Sequence, residues 1–504
     1  MTTAPVLDRV HRLRESYHRA ATALPWLDAA RWEEDAPAFA AFASDPGLPS
    51  VRRVTLEPGL RGRLARDAGD RRFLVRHDPE RSGPLAGLED LLTEMAGASL
   101  PLVILHTDVE LEDIAGLARS HPRLQIIVES GPAKILYFIE PLERLLRAQP
   151  NVWLCTYNLC NWLGLERLCA AGLGDRLLLG THAPRFNAHV AMGPVVMGRL
   201  SWGEKCAIAG DNLRRLLGLA PAAPRAEEVF EPGAPFVIDS HGHSGPPGRF
   251  PVPDEEFEAA DWLRFMDECG IEQLYLCPME AIHDPGADPR ERVAGLLSAA
   301  PGRFRYFEVF APGARPEQVR RIEQALRHPA QRGLRDPACA GIKIHPSMHG
   351  VAADDDAYAP VFELAERMKA TILTHSWEAS ATNPVQHLSL PERFERHLRE
   401  HPGASLVLGH AGGRPSTIAS VVELCERYRG VSVDLAGDYF DSGLVEMLRA
   451  RIGPGRVLFA SDVNWVDPRA NLAAVLASRL TDEDAARVLR DNALRVYGPR
   501  PEMG

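Results

Sequence analysis

The stretch that decides the fold runs Phe236-Val237-Ile238-Asp239-Ser240-His241-Gly242-His243. Three apolar residues lead into an acid and then into two histidines one residue apart. A β-strand points alternate side chains to opposite faces, so His241 and His243 face the same side. If the strand ends there, both imidazoles emerge together at its carboxyl end. Neutral imidazole binds zinc and other first-row ions, so this pair is a candidate pair of metal ligands.

From this stretch onward, apolar strand patterns alternate with helical patterns. Eight strand-then-helix units over residues 236–504 have the size and rhythm of a (β/α)8 barrel. In such barrels the reacting groups sit where the strands end. The predicted strands are Phe236–Asp239, Gln273–Leu276, Arg305–Phe310, Gly341–Ile344, Thr371–Thr374, Ser405–Leu408, Val431–Leu435 and Val457–Ala460.

Polar residues stand at several of these predicted strand ends. Lys343 lies in the fourth strand, and strands five, six and eight are followed by His375, His410 and Asp462. With the two histidines of the first strand, they would meet at one rim of the barrel. We therefore predict a site for a divalent cation. Zinc is favoured, with manganese, iron and cobalt as alternatives, because all accept histidine and aspartate ligands.

The chain before the barrel also alternates strand and helix patterns, after a helical pattern over the first 50 or so residues. We predict a parallel α/β domain over 1–218, a proline-rich linker over 219–235 and the barrel over 236–504. The strands predicted in the first domain are Val51–Leu56, Phe73–Val75, Leu102–Leu105, Leu124–Val128, Val152–Leu154 and Arg176–Leu179.

The two halves of the chain resemble each other in sequence. Residues 176–182 align with 456–462, and 211–213 align with 491–493, each pair 280 positions apart. We predict that the first half is an incomplete, degenerate copy of the second. It has nothing equivalent to the H-x-H strand, and it is altered opposite three chemical positions, with Val75 near the place of Lys343, Ser130 opposite His410 and His182 opposite Asp462.

Composition excludes several classes of protein. The net charge of −11, without a Lys/Arg-rich block, argues against a nucleic-acid partner. The sequence has no run of about 20 apolar residues, so it predicts no membrane span. The first residues do not have the pattern of a secretory signal. Eight cysteines without a C-x-x-C pair predict reduced thiols of a cytoplasmic protein. The expected partner is a small-molecule substrate, and a homo-oligomer is compatible with a catalytically incomplete half.

Five motifs resemble those of the amidohydrolase superfamily, in its amidohydrolase-related branch. The motifs cover residues 236–498 in the family's order, and residues 51–216 resemble a partial second copy. The resemblance implies a metal-dependent (β/α)8 barrel. The motifs are Asp239-Ser240-His241-Gly242-His243, Gly341-Ile342-Lys343-Ile344-His345-Pro346, Thr374-His375, Gly409-His410-Ala411-Gly412-Gly413 and Ala460-Ser461-Asp462.

The resemblance also implies roles for these residues. It implies one divalent ion, held by the residues His241, His243, His375 and Asp462. His410 would bind a second metal or act in catalysis. Lys343 falls on the strand where binuclear members carry a carboxylated lysine that bridges two ions; the alternative is a lysine held by local carboxylates or touching the substrate.

The implied reaction is hydrolysis of a C–N or C–O bond in an amide, lactone or ester. Asp462 would take the proton of a metal-activated water, and His410 would hydrogen-bond the oxyanion. The alternative is non-oxidative decarboxylation of an aromatic or unsaturated acid, with Arg249 and Arg414 as sources of positive charge. Such decarboxylases often show His-x-Gly-Glu where this chain has His-Ala-Gly-Gly. The residues proposed to stack on a planar substrate are Trp377 and Trp465.

Overall fold

The computed structural model describes residues 4–31, 38–43, 45–57, 60, 73–130, 135–248, 251–253, 257–284, 286–326, 336–380 and 383–498. The chain forms two compact units. We call His18–Phe230 the N-terminal unit, and Met1–Tyr17 together with Glu231–Gly504 the barrel unit. The domain boundaries at 218 and 236 remain a prediction.

The N-terminal unit contains a parallel sheet of six strands in sequential order. Three of its inner strands, Leu102–Leu105, Ile126–Glu129 and Val152–Cys155, are buried throughout and are apolar apart from Glu129, as expected of strands covered on both faces. The strands are β1 (Arg52–Thr55), β2 (Phe73–Arg76), β3 (Leu102–Leu105), β4 (Ile126–Glu129), β5 (Val152–Cys155) and β6 (Leu177–Leu178). The helices, the first shared with the barrel unit, are α1 (Ala4–Ala23), α2 (Pro79–Ser82), α3 (Glu89–Ala98), α4 (Leu111–Ser120), α5 (Ile139–Ala148), α6 (Gly164–Ala170), α7 (Ala188–Met197), α8 (Trp202–Cys206) and α9 (Asn212–Leu216).

The barrel unit contains a parallel sheet of eight strands, also in sequential order. Backbone hydrogen bonds from Ser240 N to Phe459 O (3.2 Å) and from Asp462 N to His241 O (2.9 Å) join its two edges into a nearly closed barrel. The strands are β7 (Val237–Ser244), β8 (Ile271–Pro278), β9 (Phe304–Val309), β10 (Cys339–Ile344), β11 (Thr371–Thr374), β12 (Ser405–Leu408), β13 (Val431–Asp434) and β14 (Val457–Leu458). The (β/α)8 prediction is therefore confirmed.

Helices follow most strands of the barrel, which is the arrangement that parallel strands require. The helices are α10 (Ala259–Cys269), α11 (Met279–His283), α12 (Pro289–Arg292), α13 (Ala294–Ala299), α14 (Pro316–Leu326), α15 (Pro346–His349), α16 (Ala359–Met368), α17 (Glu395–Glu400), α18 (Ile418–Arg427), α19 (Leu444–Ile452), α20 (Pro468–Leu476), α21 (Asp482–Ala486) and α22 (Asn492–Tyr497). The buried apolar core of the barrel unit includes Ile238, Tyr275, Phe307, Leu373, Val407 and Leu458.

Two local predictions were wrong. Strand β7 does not stop at Asp239 but continues to Ser244, because Gly242 and His243 still pair with β8 after an irregularity in register. Among the described residues of the first 50, the helical prediction holds only for α1. After α1, Asp28 forms a parallel bridge with Ser50, so an extended segment occupies part of this region.

That extended segment repeats the hydrogen bonds of β7. Ala29 N donates to Leu179 O at 2.9 Å, and His182 N donates to Ala30 O at 2.7 Å. Asp28 accepts from the backbone and hydroxyl of Thr181, as Asp239 does from Ser461. The N-terminal unit therefore does have a counterpart of the first barrel strand, with alanine in the place of His241.

Two further observations complete the fold. Among the residues that the structure describes, no helix is both long and apolar enough to cross a membrane. All eight cysteines are described and none is in a disulfide, which agrees with the predicted reduced thiols.

Candidate metal centre

Strand β7 brings His241 and His243 to the carboxyl rim, and the Nδ1 atom of each ring forms a hydrogen bond with a protein oxygen. His241 Nδ1 lies 2.9 Å from Asp434 Oδ2, and His243 Nδ1 lies 3.0 Å from the carbonyl oxygen of Cys277. A carboxylate or carbonyl oxygen accepts hydrogen bonds, so each histidine carries its proton on Nδ1. Nε2 of each ring is then unprotonated. This is the usual arrangement of histidines that bind a metal.

His375 and His410 repeat the arrangement. His410 Nδ1 lies 3.1 Å from Ala436 O, and His375 Nε2 lies 2.9 Å from Gln386 Oε1. The two inner nitrogens, His375 Nδ1 and His410 Nε2, are 3.0 Å apart. Two unprotonated nitrogens at this distance repel each other unless a proton or a cation lies beside them. With a cation in that place, four imidazoles would each turn an unprotonated nitrogen towards the rim.

Asp462 completes the group. It adopts a left-handed backbone conformation (φ 70°), which its hydrogen bond to His241 O holds in place. Asp462 Oδ1 lies 3.2 Å from His243 Nε2 and 4.0 Å from His241 Nε2. Ligand atoms of His241, His410 and Asp462 all lie within 4.8 Å of one another. These donors fit a divalent cation of the zinc or manganese type.

Lys343 lies in the same cluster. Its side chain is completely buried, and Nζ lies 2.7 Å from His241 Nε2. Burial lowers the pKa of Lys343, and the carboxyl groups of Asp462 and Asp434 oppose this shift. One expectation for this lysine was that local carboxylates hold it. The hydrogen-bond partner that the structure shows is instead an imidazole.

The sequence analysis missed three residues of this site. Asp434 orients His241, and its pKa is raised to about 6 because the carboxyl group is buried. His345 was not given a role, yet its ring stacks on His375 with centroids 4.1 Å apart. Gln386 comes from a loop. The acid at the end of the seventh strand was a readable signal for Asp434, whereas nothing in the sequence marks Gln386.

Trp377 is packed against protein groups. Its ring stacks on His375 at 5.9 Å and meets His410 edge-on at 5.1 Å. The Arg414 guanidinium lies 4.8 Å from the ring centroid, and it also pairs with Asp438 at 3.3 Å. Trp377 and Arg414 therefore support the histidines in this structure. Their predicted contacts with a substrate remain predictions.

Steric constraints explain why residues 412 and 413 are both glycine. Both glycines have positive φ angles, 81° and 89°. A Cβ atom on Gly413 would lie 2.5 Å from Cδ2 of Trp377, and one on Gly412 would lie 2.6 Å from Val421. A glutamate at 413, as in the His-x-Gly-Glu pattern, would displace Trp377 from the histidines.

The other two predicted substrate residues are Arg249 and Trp465. Arg249 lies outside the described residues. Trp465 packs partly buried against the barrel core, with its indole nitrogen 3.5 Å from Met279 Sδ. Its role as a stacking surface remains a prediction.

Among its described residues, the N-terminal unit has an ion-pair cluster at the carboxyl ends of its strands. Arg53 Nη2 lies 2.9 Å from both oxygens of Glu129, and His182 Nε2 lies 3.0 Å from Glu129 Oε1. His182 is the counterpart of Asp462 and stacks on Tyr157 at 3.9 Å. Burial alone would raise the pKa of Glu129, but the charges of Arg53 and His182 outweigh it and hold that pKa well below its ordinary value. Glu129 is thus neutralised by side chains of the unit itself.

A family model described as amidohydrolase matches residues 238–498, slightly more than half of the chain. The chain therefore belongs to the amidohydrolase family, as the resemblance implied. No curated protein matches the chain.

Solved structures resemble the barrel at low similarity. An uncharacterized TIM-barrel protein from Bordetella bronchiseptica is 16% identical over 52% of this chain and 97% of its own, with a TM-score of 0.42. The 5-carboxyvanillate decarboxylase of Sphingomonas paucimobilis is 17% identical over 49% of this chain and 84% of its own, with a TM-score of 0.38. A dihydroxybenzoic acid decarboxylase from Polaromonas sp. JS666, with bound manganese and the inhibitor 2-nitroresorcinol, is 16% identical over 52% and 97%, with a TM-score of 0.40. Similarity this low transfers no substrate, metal or reaction to the chain.

Proposed function

We propose that the chain is a metal-dependent enzyme that decarboxylates a small carboxylic acid without an oxidant. The observation that carries this proposal is the completely buried Lys343 amine, which lies 2.7 Å from His241 Nε2. A cation bound through His241 Nε2 would take this acceptor from Lys343. A buried polar group without a partner is costly, so an anionic group on the substrate is favoured. A carboxylate supplies that group and is also the group that a decarboxylase removes.

The ligands in this proposal are His241, His243, His375 and Asp462, with His410 beside them. Zinc or manganese suits these donors equally. When bound, the cation would polarise the substrate carboxylate and lower the pKa of bound water. Lys343 would hold the carboxylate at the buried end of the site.

Asp462 is the proton donor in this proposal. Its side chain is 14% exposed, whereas those of His241 and His243 are 0% and 6% exposed, so its carboxyl group faces the open rim. The carbon–carbon bond to the carboxyl group breaks, carbon dioxide leaves, and the carbon that keeps the electron pair takes a proton from Asp462. Solvent then returns a proton to Asp462.

Hydrolysis is the second candidate, because the same aspartate could take a proton from an attacking water. His410 would then have to carry a proton on Nε2 to hydrogen-bond the oxyanion, which is not the tautomer that Ala436 O favours. Hydrolysis of a neutral substrate would not require Lys343 to bind an anionic group.

One experiment separates the two reactions. The metal-loaded chain is assayed against a panel of aryl and unsaturated carboxylic acids for carbon dioxide release, and against lactones, esters and amides for acid release. We expect turnover only in the first panel. Turnover confined to the second panel would replace decarboxylation by hydrolysis, and no turnover in either would count against both.

We further propose that the N-terminal unit is a degenerate copy without its own metal. Ala30 takes the backbone position of His241, and Arg53 supplies a cation to Glu129. The expected stoichiometry is one tightly bound divalent ion per chain. Elemental analysis that gave two ions would contradict this proposal, unless Asp462→Asn removed both.

A further inference from the structure

We propose that Gln386 is a positioning residue of the metal centre, which holds His375 in the tautomer able to bind a cation through Nδ1. The inference rests on the proposed metal-dependent function. It concerns a loop residue that belongs to none of the five strand-end motifs.

Stacking fixes the plane of the His375 ring. His345 lies on it with centroids 4.1 Å apart and an angle of 10°, and Trp377 is nearly parallel to it, at 11° and 5.9 Å. Stacking leaves open which ring nitrogen carries the proton. Gln386 Oε1, 2.9 Å from Nε2, decides this, because an amide oxygen accepts and so requires the proton on Nε2. Nδ1 is then unprotonated and faces His410.

The loop that carries Gln386 is held independently of the metal. Gln386 lies in a short 3-10 helix, Pro384–Ser389. Ser389 is completely buried; its carbonyl accepts from Trp377 N at 3.1 Å and its hydroxyl accepts from Ser347 N at 3.0 Å. The amide is therefore positioned before any ligand binds, which is what an orienting contact requires.

The N-terminal unit offers an internal contrast. His106 follows β3 as His375 follows β11, and it is also buried, at 6% exposure. Neither of its ring nitrogens has a hydrogen-bond partner among the described residues. The orienting contact is found on the histidine where a cation is expected, and it is not found on this counterpart.

Gln386 differs from the other orienting groups in chemistry. His243 and His410 are held by backbone carbonyls, and His241 is held by the buried Asp434. Gln386 is a neutral side chain on a loop, so it can be replaced without altering a strand. A carboxylate accepts a hydrogen bond more strongly than an amide. The affinity for the metal should therefore respond to the acceptor at this position.

The test compares Gln386→Leu, Gln386→Glu and the wild-type full-length chain, each titrated with Zn²⁺ against a chromophoric chelator. We expect Gln386→Leu to weaken Zn²⁺ binding about 10- to 100-fold, the range for lost orienting contacts. Gln386→Glu should bind at least as tightly as wild type. The matched control is Val385→Ala, an exposed change on the same loop, which should bind like wild type. All four metal-free proteins should unfold at similar temperatures, which a merely structural role would not explain.

The outcomes are distinguishable. If Gln386→Leu binds Zn²⁺ as tightly as wild type, or Gln386→Glu as weakly as Gln386→Leu, the positioning role is wrong and the metal centre stands. If the wild-type chain binds no Zn²⁺, both the positioning role and the proposed metal-dependent function fail.

Discussion

At the carboxyl end of its last strand, the N-terminal unit has His182 where the barrel unit has Asp462. Both residues have positive φ angles, and both donate a backbone hydrogen bond to the first extended segment of their unit. Asn212 and Asn492 also make equivalent contacts in the two units. Each side-chain amide donates to two backbone carbonyls at 2.7–2.9 Å. The backbone arrangement is therefore shared.

The chemistry on that backbone differs. In the barrel unit, four imidazoles and a carboxylate converge, and their donors fit a cation from outside the chain. In the N-terminal unit, the Arg53 guanidinium is the cation, and it pairs with Glu129 at 2.9 Å. A shared frame thus holds either a ligand set or a closed ion pair. In the N-terminal unit the carboxylate is thus paired with a cation that the chain itself supplies.

The largest expected effect comes from the strand-end pair. Asp462→Asn should lower turnover by about 10²- to 10⁴-fold, the usual contribution of a general acid or base. His182→Asn, its counterpart, should leave turnover per folded molecule within a few-fold of wild type. Steady-state kinetics, with the folded fraction measured by circular dichroism, checks both. Near-wild-type activity of Asp462→Asn would remove Asp462 from the reaction.

The next effect concerns the ion pair. Arg53→Leu leaves the buried Glu129 without its main partner, and we expect a loss of about 3–5 kcal/mol in the free energy of unfolding of the N-terminal unit. The double variant Arg53→Leu/Glu129→Leu should recover most of this loss, because no charge is left unpaired. The control is Arg19→Leu, which breaks an exposed pair with Glu228 and should cost at most about 1 kcal/mol. Urea titration followed by circular dichroism measures all three.

The same variant should reverse a pH dependence. In wild type the folded-state pKa of Glu129 is lowered, so its stabilisation is present above the unfolded pKa of about 4.3 and is lost as the pH falls through the folded value. In Arg53→Leu, burial dominates and raises that pKa above the unfolded value, so protonation stabilises the variant. The difference in unfolding free energy between wild type and variant should therefore shrink from pH 7 to pH 5. A difference that grows would show that Arg53 does not govern Glu129.

The smallest expected effect is a loss of stability in the barrel unit when Gly413 is substituted. Gly413→Ala should push Trp377 off His375 and His410 and cost about 1–3 kcal/mol through overpacking and backbone strain. Gly245→Ala is the control, because Gly245 also has a positive φ angle, 78°, but a Cβ there meets nothing within 4 Å. Thermal unfolding should show a larger loss for Gly413→Ala. Equal losses would mean that strain alone, and not Trp377, requires glycine at 413.

The sequence predicted most of the fold because apolar runs of the right length are local signals. Thirteen of the fourteen strands that the structure describes begin and end within two residues of the predicted ranges, and β3, β11 and β12 match them to the residue. Strand β7 runs five residues further than predicted. Their order followed from the strand–helix alternation. The segment at Asp28–Ala30 was missed because it is too short, and its hydrogen bonds come from residues about 150 positions later.

The site was predictable in part for the same reason. His241, His243, His375, His410 and Asp462 follow strands, and parallel strands bring their carboxyl ends to one rim. The groups that orient them were less visible. Cys277 and Ala436 act through backbone carbonyls, which every residue has, and Gln386 acts from a loop whose position depends on Ser389.

The sequence by itself determined the barrel, its family and the residues that meet at its rim, because strand periodicity and strand-end motifs are written along the chain. Only the tertiary structure decided which nitrogen of each imidazole faces inward, since that choice depends on an oxygen supplied by a distant segment. It also decided that Arg53 meets Glu129 in the N-terminal unit, because the two residues are 76 positions apart and share no motif.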